Sequence, residues 1–187
     1  MFKQQKGAQS SLRAYAQRGV TLIEACACLA IIAILVGSAT PSFIDMLTLR
    51  KLEGRSAELT TDLQWLRTEA LARNASLRIE VLSDADGACY IVHDGDANAC
   101  TCNGEGPAKC TPGVTAAKSV QLPAAERITL RSNVRSMVYD PRFGTTSPGG
   151  GFELADSQGR TVRHVVNIMG RVRTCTPSGN VAGLKPC

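Results

Sequence analysis

The 187-residue chain has few aromatic side chains and few charges. Aromatic residues make up 4% and charged residues 20% of the sequence, so a packed core must consist mainly of Val, Leu, Ile and Ala. A core of that kind suits one small sheet domain. The length allows such a domain beside a single membrane segment and leaves no room for a second ordinary domain.

Sequence patterns typical of enzymes and metal sites are also absent. His93 and His164 have no HExxH neighbour and no paired nucleophile, so we interpret both as strand residues. The acidic stretches 84–87 and 94–96 lack the Glu and the twelve-residue spacing of an EF-hand, which favours solvated turns over calcium sites. Residues 89–110 contain no CxxC pair, which favours disulfides over zinc. We predict no enzyme activity, no metal and no cofactor.

Acidic residues are missing from the first 19 positions, which carry four basic residues and precede a long apolar run. Residues 20–44 contain one charge, Glu24, and as a helix they would span about 37 Å, more than the roughly 30 Å of a hydrocarbon core. Basic residues stay on the cytoplasmic side, so everything after Asp45 is predicted to be exported. The alternative, a secretory signal cleaved near Ala39, lacks the required spacing of small residues.

The carboxylate of Glu24 needs a cationic partner, because a charge at the centre of a membrane helix costs about 2.5 to 3.5 kcal/mol. An amino terminus created by cleavage between Gly19 and Val20 would supply one, from the same subunit or a neighbour. Gly19 followed by VTLIE, with Pro41 further along the apolar run, closely resembles the class III signal of type IV pilins and type II secretion pseudopilins. The alternative is an ordinary single-pass anchor with an incidental Glu24.

The resemblance implies that a prepilin peptidase removes residues 1–19 and N-methylates Val20, where this family usually has Phe. The subunit would first cross the inner membrane once, with a periplasmic domain, and then join a surface filament with other major and minor pilins. Glu24 would meet the N-terminal amine of an adjacent subunit. Cys26 and Cys28 point to different sides of the helix and are not expected to pair with each other.

Beyond Pro41 the apolar residues follow one helical face, at Leu52, Leu59, Leu63, Leu66 and Ala70. This pattern predicts that the helix continues through residues 45–76, ends at Asn74 or Ser76, and packs on a domain formed by residues 77–187. Residues 63–74 are similar to the helix end of the GspH/FimT branch of the pilins. Asp62 and Arg67 are assigned to the polar side of the helix.

In the remaining domain, apolar and polar residues alternate in short segments separated by Gly, Pro, Asp and Ser. An α+β pilin fold is therefore expected, with a long N-terminal helix packed on a mainly antiparallel β-sheet domain. The Gly-rich stretch 143–152 is interpreted as a flexible hairpin tip. Strands are predicted at 77–81, 89–93, 118–122, 127–131, 134–139, 151–154 and 161–168.

Six of the eight cysteines lie in the exported part, where an oxidising compartment favours disulfides. Six cysteines can pair in about 15 ways. A bridge between Cys175 and Cys187 is preferred, because it would close the C-terminal tail into a loop. The pairing of the other four stays open: Cys89, Cys100, Cys102 and Cys110.

Basic residues are concentrated at the C-terminal end. Residues 77–126 contain 3 basic and 7 acidic residues, whereas residues 127–187 contain 9 basic and 3 acidic ones. Within this basic part, Arg171 and Arg173 project from the same side of an extended segment, about 6.6 Å apart. Two guanidinium groups at that spacing suit successive phosphates, although a solvated strand face gives the same pattern.

Gly170-Arg171-Val172-Arg173, just before a cysteine-closed tail, resembles the GRxR motif of FimT-type minor pilins. The resemblance implies non-specific capture of extracellular DNA during natural transformation, with Gly170, Arg171, Arg173 and Lys185 as the DNA-binding residues. Gly170 is expected to keep the approach to Arg171 open. The alternative is a structural tip subunit of the FimU or GspH kind, which primes assembly of a pilus or pseudopilus.

Overall fold

The computed structural model describes residues 19–84, 87–104 and 106–187. Residues 1–18, which form most of the predicted leader, and Asp86 of the first acidic turn lie outside the described residues. The chain divides into two units after Phe43. One helix, α1 (Leu22–Arg73), contributes to both of them.

The N-terminal unit contains the first part of α1. The helix begins with the Glu24 amide donating to Thr21 Oγ1 at 3.4 Å, an interaction that satisfies one of the free N–H groups of the first turn. Pro41 lies inside α1 without ending it, as predicted. By length and composition this part of α1 is apolar enough to cross a membrane, and its side chains are not buried by other described residues.

The second unit, Ile44–Cys187, contains the rest of α1, a short 3₁₀ helix (Ala124–Glu126) and eleven strands within the described residues. The strands are β1 (Leu77–Asp84), β2 (Gly87–His93), β3 (Cys100–Asn103), β4 (Gly106–Cys110), β5 (Ala116–Pro123), β6 (Ile128–Ser132), β7 (Ser136–Tyr139), β8 (Thr146–Ser147), β9 (Gly150–Asp156), β10 (Thr161–Val166) and β11 (Val172–Cys175).

The strands form three antiparallel sheets rather than one. Their orders are β5-β2-β1-β7-β8, β11-β10-β9-β6, and the hairpin β3-β4. The predicted antiparallel α+β architecture is confirmed, and each of the seven predicted strands overlaps an observed one. No strand was predicted at β3, β4, β8 or β11. Of these, β3 and β4 are held by two disulfides: Cys100–Cys110 joins the two strands, and Cys89–Cys102 joins β3 to β2.

The apolar face of α1 forms the centre of the core, as the helical spacing predicts. Leu52, Leu59, Leu63, Leu66 and Ala70 are each at most 1% exposed. Full burial of each leucine contributes about 1.5 to 3 kcal/mol. This stripe is part of the same core cluster as residues from both large sheets, among them Ile79, Tyr90, Met137, Phe152, Leu154 and Val162.

One polar assignment on α1 is wrong. Asp62 is only 5% exposed, because its carboxylate accepts hydrogen bonds from Tyr90 Oη and Lys118 Nζ, both at 2.6 Å. A buried carboxylate with two such donors joins the helix to β2 and β5. Helical periodicity alone does not identify a buried charge that has partners on distant strands.

Candidate nucleic-acid interface

A tight connection between β10 and β11, residues 167–171, carries the first predicted DNA-binding residues and is here called the arginine turn. Its backbone closes through hydrogen bonds from the Asn167 amide to Arg171 O at 3.1 Å and from the Gly170 amide to Asn167 O at 2.8 Å. The side chain of Asn167 accepts from the amides of Met169 and Arg171 at 3.1 and 3.0 Å. Asn167 therefore fixes the backbone that presents Arg171.

Gly170 has a structural role that differs from the one inferred from the sequence. The residue is buried and adopts a φ of 71°, a conformation that favours glycine. A Cβ at this position would overlap the carbonyl oxygen of Gly144 and lie 3.1 Å from Arg67 Nε. Gly170 thus allows the turn to pack closely on its neighbours.

Arg67 of α1 and the loop before β8 support the arginine turn from beneath. Arg67 Nε donates to Gly144 O at 3.1 Å, so this half-buried side chain does not belong to a solvated helix face. Thr146 bonds the turn twice, with its amide to Ile168 O at 2.9 Å and its hydroxyl to Asn167 O at 2.8 Å. Thr146 is 5% exposed, so the prediction of a flexible tip at 143–152 is wrong.

The side chains of Arg171 and Arg173 both point to solvent. Arg173 lies in β11 and Arg171 immediately precedes the strand, while the intervening Val172 is half-buried against the core. This alternation places both arginines on one side, as the sequence indicated. Neither guanidinium group makes a hydrogen bond or an ion pair with any described residue, so both are available to an anionic ligand.

The C-terminal tail returns to the far end of β11. Cys175 and Cys187 form a disulfide with their Cα atoms 5.0 Å apart, and the Thr176 amide donates to Lys185 O at 2.9 Å. Lys185 is exposed. At about 3.3 Å per residue its backbone lies roughly 10 Å beyond Arg173 along the strand direction, so it adds a third cation to the same edge.

His164 holds β10 and β11 against the helix. Its ring is fully buried, with Nε2 3.3 Å from Ser56 Oγ and Nδ1 3.1 Å from both Thr60 Oγ1 and Thr174 Oγ1. Burial lowers the pKa of His164 to about 4. Its partners among the described residues are hydroxyl groups, and the contact with Thr174 positions the strand that carries Arg173.

The buried His164 is expected to make the fold sensitive to acid. The unfolded chain binds this proton near pH 6.5 and the folded chain only near pH 4, so the free energy of unfolding falls as the pH drops through that range. The shift corresponds to roughly 3 kcal/mol. Urea unfolding followed by fluorescence of Trp65 should show this loss in the parent, and His164→Gln should remove most of it. Equal pH profiles for the two proteins would contradict the prediction.

Apolar side chains surround the arginine turn on the surface. Phe143 is 75% exposed, Ile168 67% and Met169 58%. Phe143 precedes Gly144, and Met169 precedes Gly170, which packs closely on Gly144. The three exposed side chains therefore extend from backbone segments that lie side by side, and together they are here called the apolar patch. A patch of this kind on a small domain usually marks an interaction surface, and sequence spacing gave no signal for it.

The remaining predicted site residues lie in the N-terminal unit. Gly19 and Val20 are exposed and precede the first residue of α1, so the peptide bond between them is accessible. Glu24 is exposed in the first turn of the helix. Cys26 and Cys28 are both unpaired and exposed among the described residues.

Comparisons with known proteins identify a family. Residues 56–170 match the family model described as type II transport protein GspH. The crystal structure of the type IV minor pilin FimU from Pseudomonas aeruginosa is similar, with 19% identity over 66% of this chain and 87% of FimU and a TM-score of 0.48. The minor pseudopilin EpsH of the Vibrio cholerae type 2 secretion system has 13% identity, coverages of 67% and 96%, and a TM-score of 0.43. No curated protein matches significantly.

Proposed function

Because the chain belongs to the GspH family of minor pilins and pseudopilins, we propose that it is a minor type IV pilin that binds extracellular DNA during natural transformation. The binding residues are Arg171 and Arg173, with Lys185 on the tail beside them and Gly170 setting the position of the turn. The observation that carries this proposal is that two guanidinium groups, which bond no described residue, lie on one side of the arginine turn and the start of β11.

The ligand is DNA because the chemistry of the turn suits phosphates without reading bases. Arginine binds phosphate through two parallel N–H donors, and several such contacts along an edge neutralise successive phosphates of one backbone. The turn is held by Asn167, Thr146 and Arg67, so little order must be gained when the ligand binds. Several copies on one filament would bind a long DNA molecule together, which raises the overall affinity of a weak single site.

The second candidate function is assembly at the tip of a pilus or pseudopilus. The apolar patch formed by Phe143, Ile168 and Met169 favours it, because such side chains at the edge of a domain are typical of subunit interfaces. In that case the arginines flanking the patch would pair with acidic residues of a neighbouring pilin. Glu24 would contribute to the same assembly through its contact with an N-terminal amine.

Salt dependence of DNA binding tests the proposal. The full mature chain in a neutral detergent is titrated with a labelled 30-base-pair duplex of mixed sequence, and the affinity is measured by fluorescence anisotropy at several salt concentrations. Two to three phosphate contacts predict a slope of about −2 to −3 for log affinity against log salt, with little sequence preference. Absence of binding at low salt would refute the proposed DNA-binding function.

Processing at Gly19 is expected to precede assembly. Mass spectrometry of filament protein should find methylated Val20 as the first residue, and Gly19→Ala should leave the precursor in the inner membrane, because the peptidase recognises the glycine. Glu24→Ala serves as the control, since it should still be cleaved but should enter filaments poorly. Filament protein that retains Met1 would contradict this assignment.

A further inference from the structure

The face of the β11-β10-β9-β6 sheet that points away from the core carries two further arginines. Core residues of this sheet, such as Leu130 and Phe152, alternate with exposed or half-buried residues that point the other way. Arg131 of β6 and Arg163 of β10 belong to that outward set. Nothing in the proposed function depends on these two side chains.

Strand register places these arginines in line with the arginine turn. Glu153 pairs with both Arg131 and Arg163, so the three residues form one row across the sheet. The next row contains Gly151, Val165 and Arg173. With strands about 4.8 Å apart, Arg131 and Arg163 are roughly 10 Å apart, and Arg163 lies diagonally about 7 to 8 Å from Arg173.

A groove with a glycine floor runs between the two added arginines and reaches the arginine turn. Its cavity volume is about 640 Å³, and its lining includes Arg131, Arg163 and residues 149–151. A Cβ at Gly151 would have no neighbour closer than 3.8 Å, so packing does not require glycine there. The opposite end adjoins the turn, because a Cβ at Gly149 would lie 3.4 Å from the Ile168 amide nitrogen.

We propose that Arg131 and Arg163 extend the DNA-binding surface, so that one DNA backbone runs from Arg171 and Arg173 across the outer face of this sheet. The four arginines are here called the arginine track. The proposal rests on the proposed DNA binding and assigns it two further phosphate-contacting residues. Charge complementarity and continuity with the arginine turn identify the occupant as a DNA backbone rather than an apolar partner.

Glu153 lies between Arg131 and Arg163 of the arginine track. Its carboxylate weakens the interaction with DNA. Its Oε1 lies 3.4 Å from Arg163 Nη2, and each of the two side chains is more than a third exposed. An ion pair at that exposure adds little to stability, yet it occupies one guanidinium group and repels an approaching phosphate. Removal of this carboxylate should therefore strengthen DNA binding, which is an unusual direction for a single substitution.

The test compares variants of the full mature chain in neutral detergent, with the duplex and a single strand of the same length as probes. With the track, the parent makes about four to five phosphate contacts, so its salt slope should be about −4 to −5 rather than the −2 to −3 of the arginine turn and tail alone. Arg131→Gln with Arg163→Gln should lower affinity about 3- to 20-fold and make that slope less steep by about 2. Glu153→Gln should raise affinity about 2- to 5-fold. The control pair Lys109→Gln with Arg127→Gln removes the same charge from exposed sites outside the track and should change affinity less than twofold, by the same reasoning.

The outcomes separate this inference from the proposed function. One outcome is that the parent binds DNA, loses binding when Arg171 and Arg173 are replaced, and keeps it when Arg131 and Arg163 are replaced. In that case the arginine track is wrong and the proposed function stands. If the parent does not bind, both fail. An unchanged or weaker affinity of Glu153→Gln would also overturn the track. So would an Arg131 and Arg163 double variant that loses affinity for the single strand only, because both probes carry the same phosphates. Filament loss with normal DNA binding in the Arg131 and Arg163 variant would assign these residues to a subunit interface instead.

Discussion

Replacement of Arg171 and Arg173 together by Gln is expected to lower affinity for duplex DNA about 10- to 30-fold at low salt, since two charge-assisted phosphate contacts are lost. Glutamine keeps a polar side chain of similar length at both positions. Neither guanidinium group bonds another described residue, so the fold and its unfolding midpoint should not change. The measurement is anisotropy at several salt concentrations, together with transformation frequency and a count of surface pili.

The control for this variant removes the same amount of charge elsewhere. Lys109 lies on the β3-β4 hairpin and Arg127 precedes β6, and both side chains are exposed. Replacing these two by Gln should leave DNA binding nearly unchanged if the arginine turn is the site, and should weaken it equally if only net charge matters. A double Arg171 and Arg173 variant that binds DNA like the parent and loses pili would favour the assembly function.

Local periodicity was sufficient to predict the helix and seven of the eleven described strands. The stripe from Leu52 to Ala70 follows the helical repeat, and all of it is buried. Alternation located seven of the nine strands of the two large sheets, because each of the seven has one face on the core. The short edge strands β8 and β11 were not predicted. The β3-β4 hairpin was missed because its strands have only four and five residues and its buried face consists mainly of disulfide-bonded cysteines, which pack on a small separate cluster with Ile91.

The sequence predicted the arginines of the candidate site. It did not predict the contacts that support them, because these join residues far apart in the sequence. The resemblance identified Arg171 and Arg173, and their alternation with Val172 indicated that they share one side. Arg67 and Gly144 were not found, because 77 positions separate them in sequence and neither belongs to a local motif. Periodicity placed Arg67 on the polar side of the helix and gave no sign that its guanidinium group bonds the loop that supports the arginine turn.

Gly170→Ala is expected to be the most destabilising single change in the site. An alanine at a φ of 71° costs roughly 1 to 2 kcal/mol, and overlap of its Cβ with Gly144 O adds about 1 to 3 kcal/mol more. The turn would have to move away from Arg67 and Thr146. Urea unfolding followed by Trp65 fluorescence measures the loss of stability, and anisotropy under folding conditions measures the loss of DNA binding.

Gly179→Ala separates backbone strain from overlap. Gly179 lies in the tail with a φ of 65°, and a Cβ there would meet no atom within 4 Å. This control therefore carries the conformational cost alone, roughly 1 to 2 kcal/mol, and should leave DNA binding intact. The excess loss in Gly170→Ala then measures how closely the turn packs on Gly144. Equal losses in the two variants would mean that the turn adjusts freely, and that the position of Arg171 does not depend on this contact.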